Sequence, residues 1–128
     1  MKQIITTSQA PKAVATYSQA VEVNGTLFIS GQVAIDPSTG KLIEGGIEEQ
    51  TRQVMKNIGA ILQAAGYDYG HLVKSTCILR DMADYAAMNA VYGSFYPKEP
   101  PARAAFAAAA LPLGALVEID AIAIIPNR

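Results

Sequence analysis

The sequence predicts an α+β fold, one mixed sheet with two helices packed on a single face. Apolar residues recur at helical spacing over residues 47–65 and again over 82–96. Short runs at 2–7, 20–23, 27–30, 73–79 and 115–125 instead carry strand character, so the order is strand, strand, long helix, strand, helix, strand, strand. The last strand is apolar on both faces, and two helices cannot cover both.

Each element has a local reason. Ala20 to Val23 and Leu27 to Ser30 flank Asn24-Gly25, the strongest two-residue hairpin signal, and should pair antiparallel. Gly31 interrupts the second of these strands and predicts a bulge or a close backbone approach. Asp36 to Gly40 is a turn by composition. In the long helix Ile47, Val54, Met55, Ile58, Ile61, Leu62 and Ala65 form one face, with Glu48 and Glu49 in the first turn and Gly66 at the end. Val73 to Leu79 alternates as a strand, which makes Cys77 a buried small residue. Asp81 caps a second helix, Met82 to Tyr96, in which Tyr85, Met88, Tyr92 and Phe95 form a core stripe and Asn89 faces solvent beside it. His71 reads as an exposed loop residue.

The stretch from Lys98 to Asp120 draws most attention. Pro100 and Pro101 set an extended entry, and Arg103 is the only polar side chain between Ala102 and Leu111. A guanidinium in apolar surroundings needs a partner. Glu118 and Asp120 share one face of the last strand. If Leu111 to Gly114 closes a hairpin, Arg103 falls opposite Asp120 and Ala105 opposite Glu118. A structural ion pair and a ligand-binding arginine both fit that arrangement.

At 128 residues and 51% hydrophobic, the chain is one domain, 1–128, with enough apolar material for a core. A net charge of -1 without a basic cluster argues against nucleic acid as a partner. One cysteine and one histidine supply neither a disulfide framework nor a convincing metal site. The N-terminus carries no secretory or organellar leader pattern and no stretch reads as a membrane helix, so a soluble cytoplasmic protein is expected. The two-sided apolar strand points to self-association.

Several motifs in one order resemble the Rid/YjgF family of reactive-intermediate deaminases: Tyr17-Ser18-Gln19-Ala20, Ser30-Gly31-Gln32, Gln50-Thr51, Asn57, Ala65-Gly66, Asn89-Ala90-Val91-Tyr92, Pro101-Ala102-Arg103, Leu111-Pro112 and Glu118-Ile119. The resemblance implies a chorismate-mutase-like fold and a homotrimer with ligand sites in clefts between subunits. It also implies hydrolysis of 2-iminopropanoate or 2-iminobutanoate to 2-keto acids and ammonia, with no cofactor and no metal. Arg103 would hold the substrate carboxylate and Glu118 the attacking water, while Tyr17, Ser30, Gly31, Asn89 and the backbone at Ala105 would line the ligand. Where the family usually has Gly-Pro this chain has Ala15-Thr16, and Ala104 and Ala105 replace residues that are often polar. A non-catalytic metabolite-binding trimer is the alternative reading; a ribonuclease fits less well, since the lone histidine is far in sequence from Arg103.

Overall fold

The computed structural model describes residues 1–127. Eight strands and two helices follow one another as β1 (Gln3–Ile5), β2 (Ala20–Val23), β3 (Thr26–Gln32), β4 (Ile35–Asp36), β5 (Lys41–Leu42), α1 (Ile47–Ala65), β6 (Leu72–Leu79), α2 (Tyr85–Gly93), β7 (Ala102–Ala107) and β8 (Val117–Ile124). Six strands form the main sheet in the order β1-β2-β3-β8-β6-β7, and β4 and β5 pair around the Asp36 turn. Both helices lie on one face of the main sheet, as expected for α+β.

The β2–β3 hairpin turns on Asn24 and Gly25, with φ of 49° and 82°. Both torsions lie in the left-handed region that this turn requires. The strand pairing between β3 and β8 shifts between Ile29 and Gln32, which is the bulge expected at Gly31. Helix α1 starts where Gly46 N donates to Glu49 Oε1 at 2.8 Å and ends at Gly66 in the left-handed conformation. The second helix is shorter than its apolar stripe suggested. Asp81 Oδ1 caps a separate 3-10 turn at Met82–Asp84, and α2 stops at Gly93.

Two aligned rows across the sheet define its faces. Ile5, Ala20, Ile29, Ala121, Ser75 and Arg103 make one row on the helix side; Ile4, Val21, Phe28, Ile122, Lys74 and Ala102 make the neighbouring row on the opposite side. On the helix side, Val54, Met55, Ile58, Ile61 and Leu62 of α1 are buried against Leu27, Ile29, Cys77, Leu79, Val117 and Ile119. Each such side chain contributes about 1.5–3 kcal/mol through burial. On the other side Phe28 is 47% exposed and Phe106 48%.

The expected hairpin of the last two strands does not form. β7 pairs with β6 in parallel, and β8 inserts between β3 and β6, antiparallel to both. Residues 112–114 form a 3-10 turn with φ of 59° at Leu113 and 69° at Gly114, and the chain then passes to the middle of the sheet. Ala121 and Ala123 suit that central strand, because their small side chains let α1 pack close. Arg103 consequently lies beside Ser75, and Glu118 beside Ile78.

Several polar residues of the recognised motifs fasten this framework. Gln19, 3% exposed, accepts from Thr7 N and donates through Nε2 to the carbonyls of Thr7, Ala10 and Pro11. Gln50 Oε1 accepts from Leu116 N, and Asn57 Nδ2 donates to the carbonyls of Val33 and Ile35. These bonds satisfy loop backbone that would otherwise be buried unpaired.

Candidate active site

Arg103 projects from the edge strand β7 toward α2. Tyr85, Asn89 and Tyr92 follow one another at helical spacing, so one face of α2 meets the guanidinium. Nη1 donates to Asn89 Oδ1 at 2.8 Å and Nη2 to the Tyr85 hydroxyl at 2.5 Å. The guanidinium carbon lies 5.5 Å from the Tyr85 ring centroid and 5.0 Å from that of Tyr92, within cation–π range. Behind it, Ser75 Oγ and the Tyr92 hydroxyl share a buried hydrogen bond of 2.5 Å.

No carboxylate among the described residues lies within ion-pair distance of Arg103. The reason is the sheet register. Glu118 and Asp120 stand opposite Ile78 and Thr76, on the side away from the helices, whereas Arg103 aligns with Ser75 on the helix side. The expected juxtaposition of Arg103 with Asp120 and of Ala105 with Glu118 is therefore corrected: Ala105 neighbours Cys77. This removes the structural ion pair as an account of Arg103. The guanidinium instead opens on a cleft of about 390 Å³ lined by Asn89, Tyr92, Tyr96, Pro100 and Pro101.

Because β7 is an edge strand, half of its backbone is unpaired within the chain. Ala108 N donates back to Leu79 O, so alternation turns the amides of Arg103 and Ala105 toward the open edge. Fixed N–H groups and a guanidinium on one margin suit a planar anion.

Glu118 belongs to a second cluster, with Ser30, Gly31 and Tyr17. A Cβ on Gly31 would lie 2.5 Å from Glu118 Oε2, so the absence of a side chain there is what admits the carboxylate. Burial raises the Glu118 pKa above the usual carboxylate range, and the neighbouring Asp120 charge adds to the effect. Ser30 Oγ donates to Ser18 O at 2.6 Å and its amide donates to Gln19 O, which fixes the loop ahead of β2. The Ser30 hydroxyl proton is thus already engaged. Tyr17 is 50% exposed and shares with Gly31 and Gln32 a cleft of about 230 Å³.

The expected site residues thus fall into two groups, Arg103, Asn89 and Ala105 in one and Tyr17, Ser30, Gly31 and Glu118 in the other. Asn89 is exposed, as expected, but its amide oxygen holds the arginine. Tyr85 had been assigned to the core stripe. The spacing Tyr85, Asn89, Tyr92 was the available signal that α2 presents polar tips on one face. Cys77 is fully buried beneath Arg103, and desolvation pushes its thiol up to about 11, which leaves it a poor nucleophile. His71 Nδ1 accepts from Asp68 N at 3.0 Å, away from both groups. No helix among the described residues is long and apolar enough to cross a membrane.

Comparison with known proteins places this geometry in a family. The family model described as Endoribonuclease L-PSP matches residues 7–125. The chain is 48% identical to the 2-iminobutanoate/2-iminopropanoate deaminase of Mus musculus, over 97% of this chain and 92% of the relative. To the protein of that name from Homo sapiens it is 46% identical, over 97% and 90%. Among solved structures, RidA from the Antarctic bacterium Psychrobacter sp. PAMC 21119 superposes with a TM-score of 0.93 at 47% identity, covering 96% of this chain and 99% of that one. E. coli TdcF with bound serine gives 0.92 at 36% identity, covering 96% and 98%. Matched over nearly its whole length in both sequence and fold, the chain belongs to the Rid/YjgF family, whose family model bears the description Endoribonuclease L-PSP.

Proposed function

We propose that this chain is a hydrolytic deaminase of small 2-imino acids, acting on 2-iminopropanoate and 2-iminobutanoate. Water adds across the C=N bond, the nitrogen takes up protons and leaves as ammonia, and the 2-keto acid remains. The activity named for relatives 46% and 48% identical supports this reading. The observation that carries it is Arg103: a guanidinium held at two nitrogens, with no carboxylate partner among the described residues, facing an open cleft.

In this reading Arg103 binds the substrate carboxylate and the edge amide of Ala105 adds a donor. Glu118, its pKa raised toward neutrality, takes a proton from the attacking water and returns it to nitrogen. The hydrolysis is intrinsically facile, so positioning of water and imine suffices. Tyr17, Ser30 and Gly31 line the Glu118 side, and Asn89 the Arg103 side.

Arg103 and Glu118 occupy opposite sides of one sheet, so a site that uses both needs two chains. The apolar outer face with Phe28 and Phe106 supports such an assembly, and a homotrimer with three inter-subunit clefts satisfies it. A cytoplasmic location, where amino-acid breakdown produces such imines, completes the proposal.

The test couples the protein to a dehydratase that releases 2-iminobutanoate and follows decay of the imine against its spontaneous rate. Micromolar protein should accelerate decay and release stoichiometric ammonia. Equal decay with and without protein, together with measurable binding of 2-oxobutanoate, would favour a non-catalytic metabolite binder.

A further inference from the structure

The Tyr85 hydroxyl has one hydrogen-bond partner among the described residues, Nη2 of Arg103. That hydroxyl therefore fastens no backbone and no other side chain. Its ring also stacks against the same guanidinium, 5.5 Å from centroid to carbon. We infer that Tyr85 is a positioning residue, which fixes the plane of the Arg103 fork so that its free N–H groups meet a substrate carboxylate. The inference rests on the proposed carboxylate role of Arg103.

The need for such a residue follows from the setting of Arg103. Its side chain leaves an edge strand, and its same-face neighbours Ser75, Cys77 and Ala105 are all small. Nothing on the sheet blocks rotation of a long, flexible side chain whose ordering carries an entropy cost. Two contacts at different nitrogens remove that freedom: Asn89 holds Nη1 and Tyr85 holds Nη2. One contact alone leaves the fork free to pivot about the bonded nitrogen. Two set its plane, and a bidentate carboxylate contact depends on that plane.

Tyr85 is itself well anchored. It begins α2 directly after the 3-10 turn at Met82–Asp84, which Asp81 caps through Ala83 N at 2.9 Å, and its ring packs on the core. Tyr85→Phe keeps the ring and that packing and removes only the acceptor.

The experiment measures kcat, KM and melting temperature for wild type, Tyr85→Phe, Arg103→Ala and the double variant, together with 2-oxobutanoate binding by calorimetry. Tyr85→Phe should raise KM and weaken 2-oxobutanoate binding about tenfold, with kcat within a few-fold and an unchanged melting temperature. In the Arg103→Ala background the same substitution should have no further effect, since its influence runs through the guanidinium. Wild-type KM in Tyr85→Phe, with Arg103→Ala inactive, would overturn the Tyr85 inference alone. A lowered melting temperature with unchanged KM would also overturn it, in favour of a packing role. Failure of wild type to accelerate imine decay would overturn both the inference and the reading beneath it.

Discussion

Gly31 and Glu118 are fitted to each other: the space where a residue-31 side chain would begin is the space that Glu118 Oε2 occupies. A Cβ there would lie 2.5 Å from that oxygen, 3.0 Å from Cδ and 3.2 Å from Cγ. The contact is with the far end of a flexible side chain, so Gly31→Ala should fold, with the carboxylate swung aside. If Glu118 positions the attacking water, kcat should fall by about tenfold or more while the melting temperature moves by only a few degrees. Thermal unfolding and steady-state rates on one preparation check this, and unchanged kcat would separate Gly31 from the chemistry.

Replacing Glu118 itself tests its protonation. Glu118→Gln should lower kcat about 100-fold or more if the group acts as a general base. Stability should move the other way. Burial, and then Asp120, raise the folded-state pKa of Glu118, so its contribution is fully present when protonated and is lost as pH rises through the raised value. At pH 7 Glu118→Gln should therefore melt above wild type, and the gap should close below the ordinary carboxylate range. A gap of equal size at pH 7 and below about pH 4 would contradict the raised pKa.

Arg103→Ala separates binding from folding. Losing a charge-assisted bidentate contact should remove about 2–4 kcal/mol of transition-state stabilisation, about 30- to 1,000-fold in kcat/KM. Arg103→Lys should restore little, since an ammonium cannot reproduce the planar fork. Because Arg103 has no acid partner among the described residues, assembly mass should persist. An active but destabilised Arg103→Ala would refute the carboxylate assignment.

The parts of the fold that were readable share a local cause. Helix α1 announces itself because Val54, Met55, Ile58, Ile61 and Leu62 repeat at helical spacing and Gly66 supplies the left-handed end. Asn24 and Gly25 specify their hairpin by torsion alone. The partner of β7 was not readable, since β8 is apolar on both faces and alternation then fixes neither register nor neighbour. That long-range choice decides whether Arg103 meets Asp120, and so the residues of the site were legible while their grouping was not. Tyr85 was hidden differently: its ring satisfies the core pattern, and only the fold reveals where its hydroxyl points.

The last expectation concerns assembly. On the side of the sheet away from the helices Ile4, Val21, Phe28 and Ile122 form a continuous row, and Ile4 is 49% and Phe28 47% exposed. Apolar surface of this extent calls for a covering partner, and the same face carries Glu118, whose proposed counterpart Arg103 must come from another chain. Wild type should sediment at roughly three times 13.5 kDa. Phe28→Glu leaves the helix-side core untouched, because Phe28 points away from it, yet places a charge on the face to be covered. The variant should be folded by circular dichroism, sediment as a monomer and lose imine hydrolysis, since each chain then keeps its Arg103 and its Glu118 on opposite sides of its own sheet. A monomeric variant that retains full activity would show that one chain suffices, and the two-chain site would have to be abandoned.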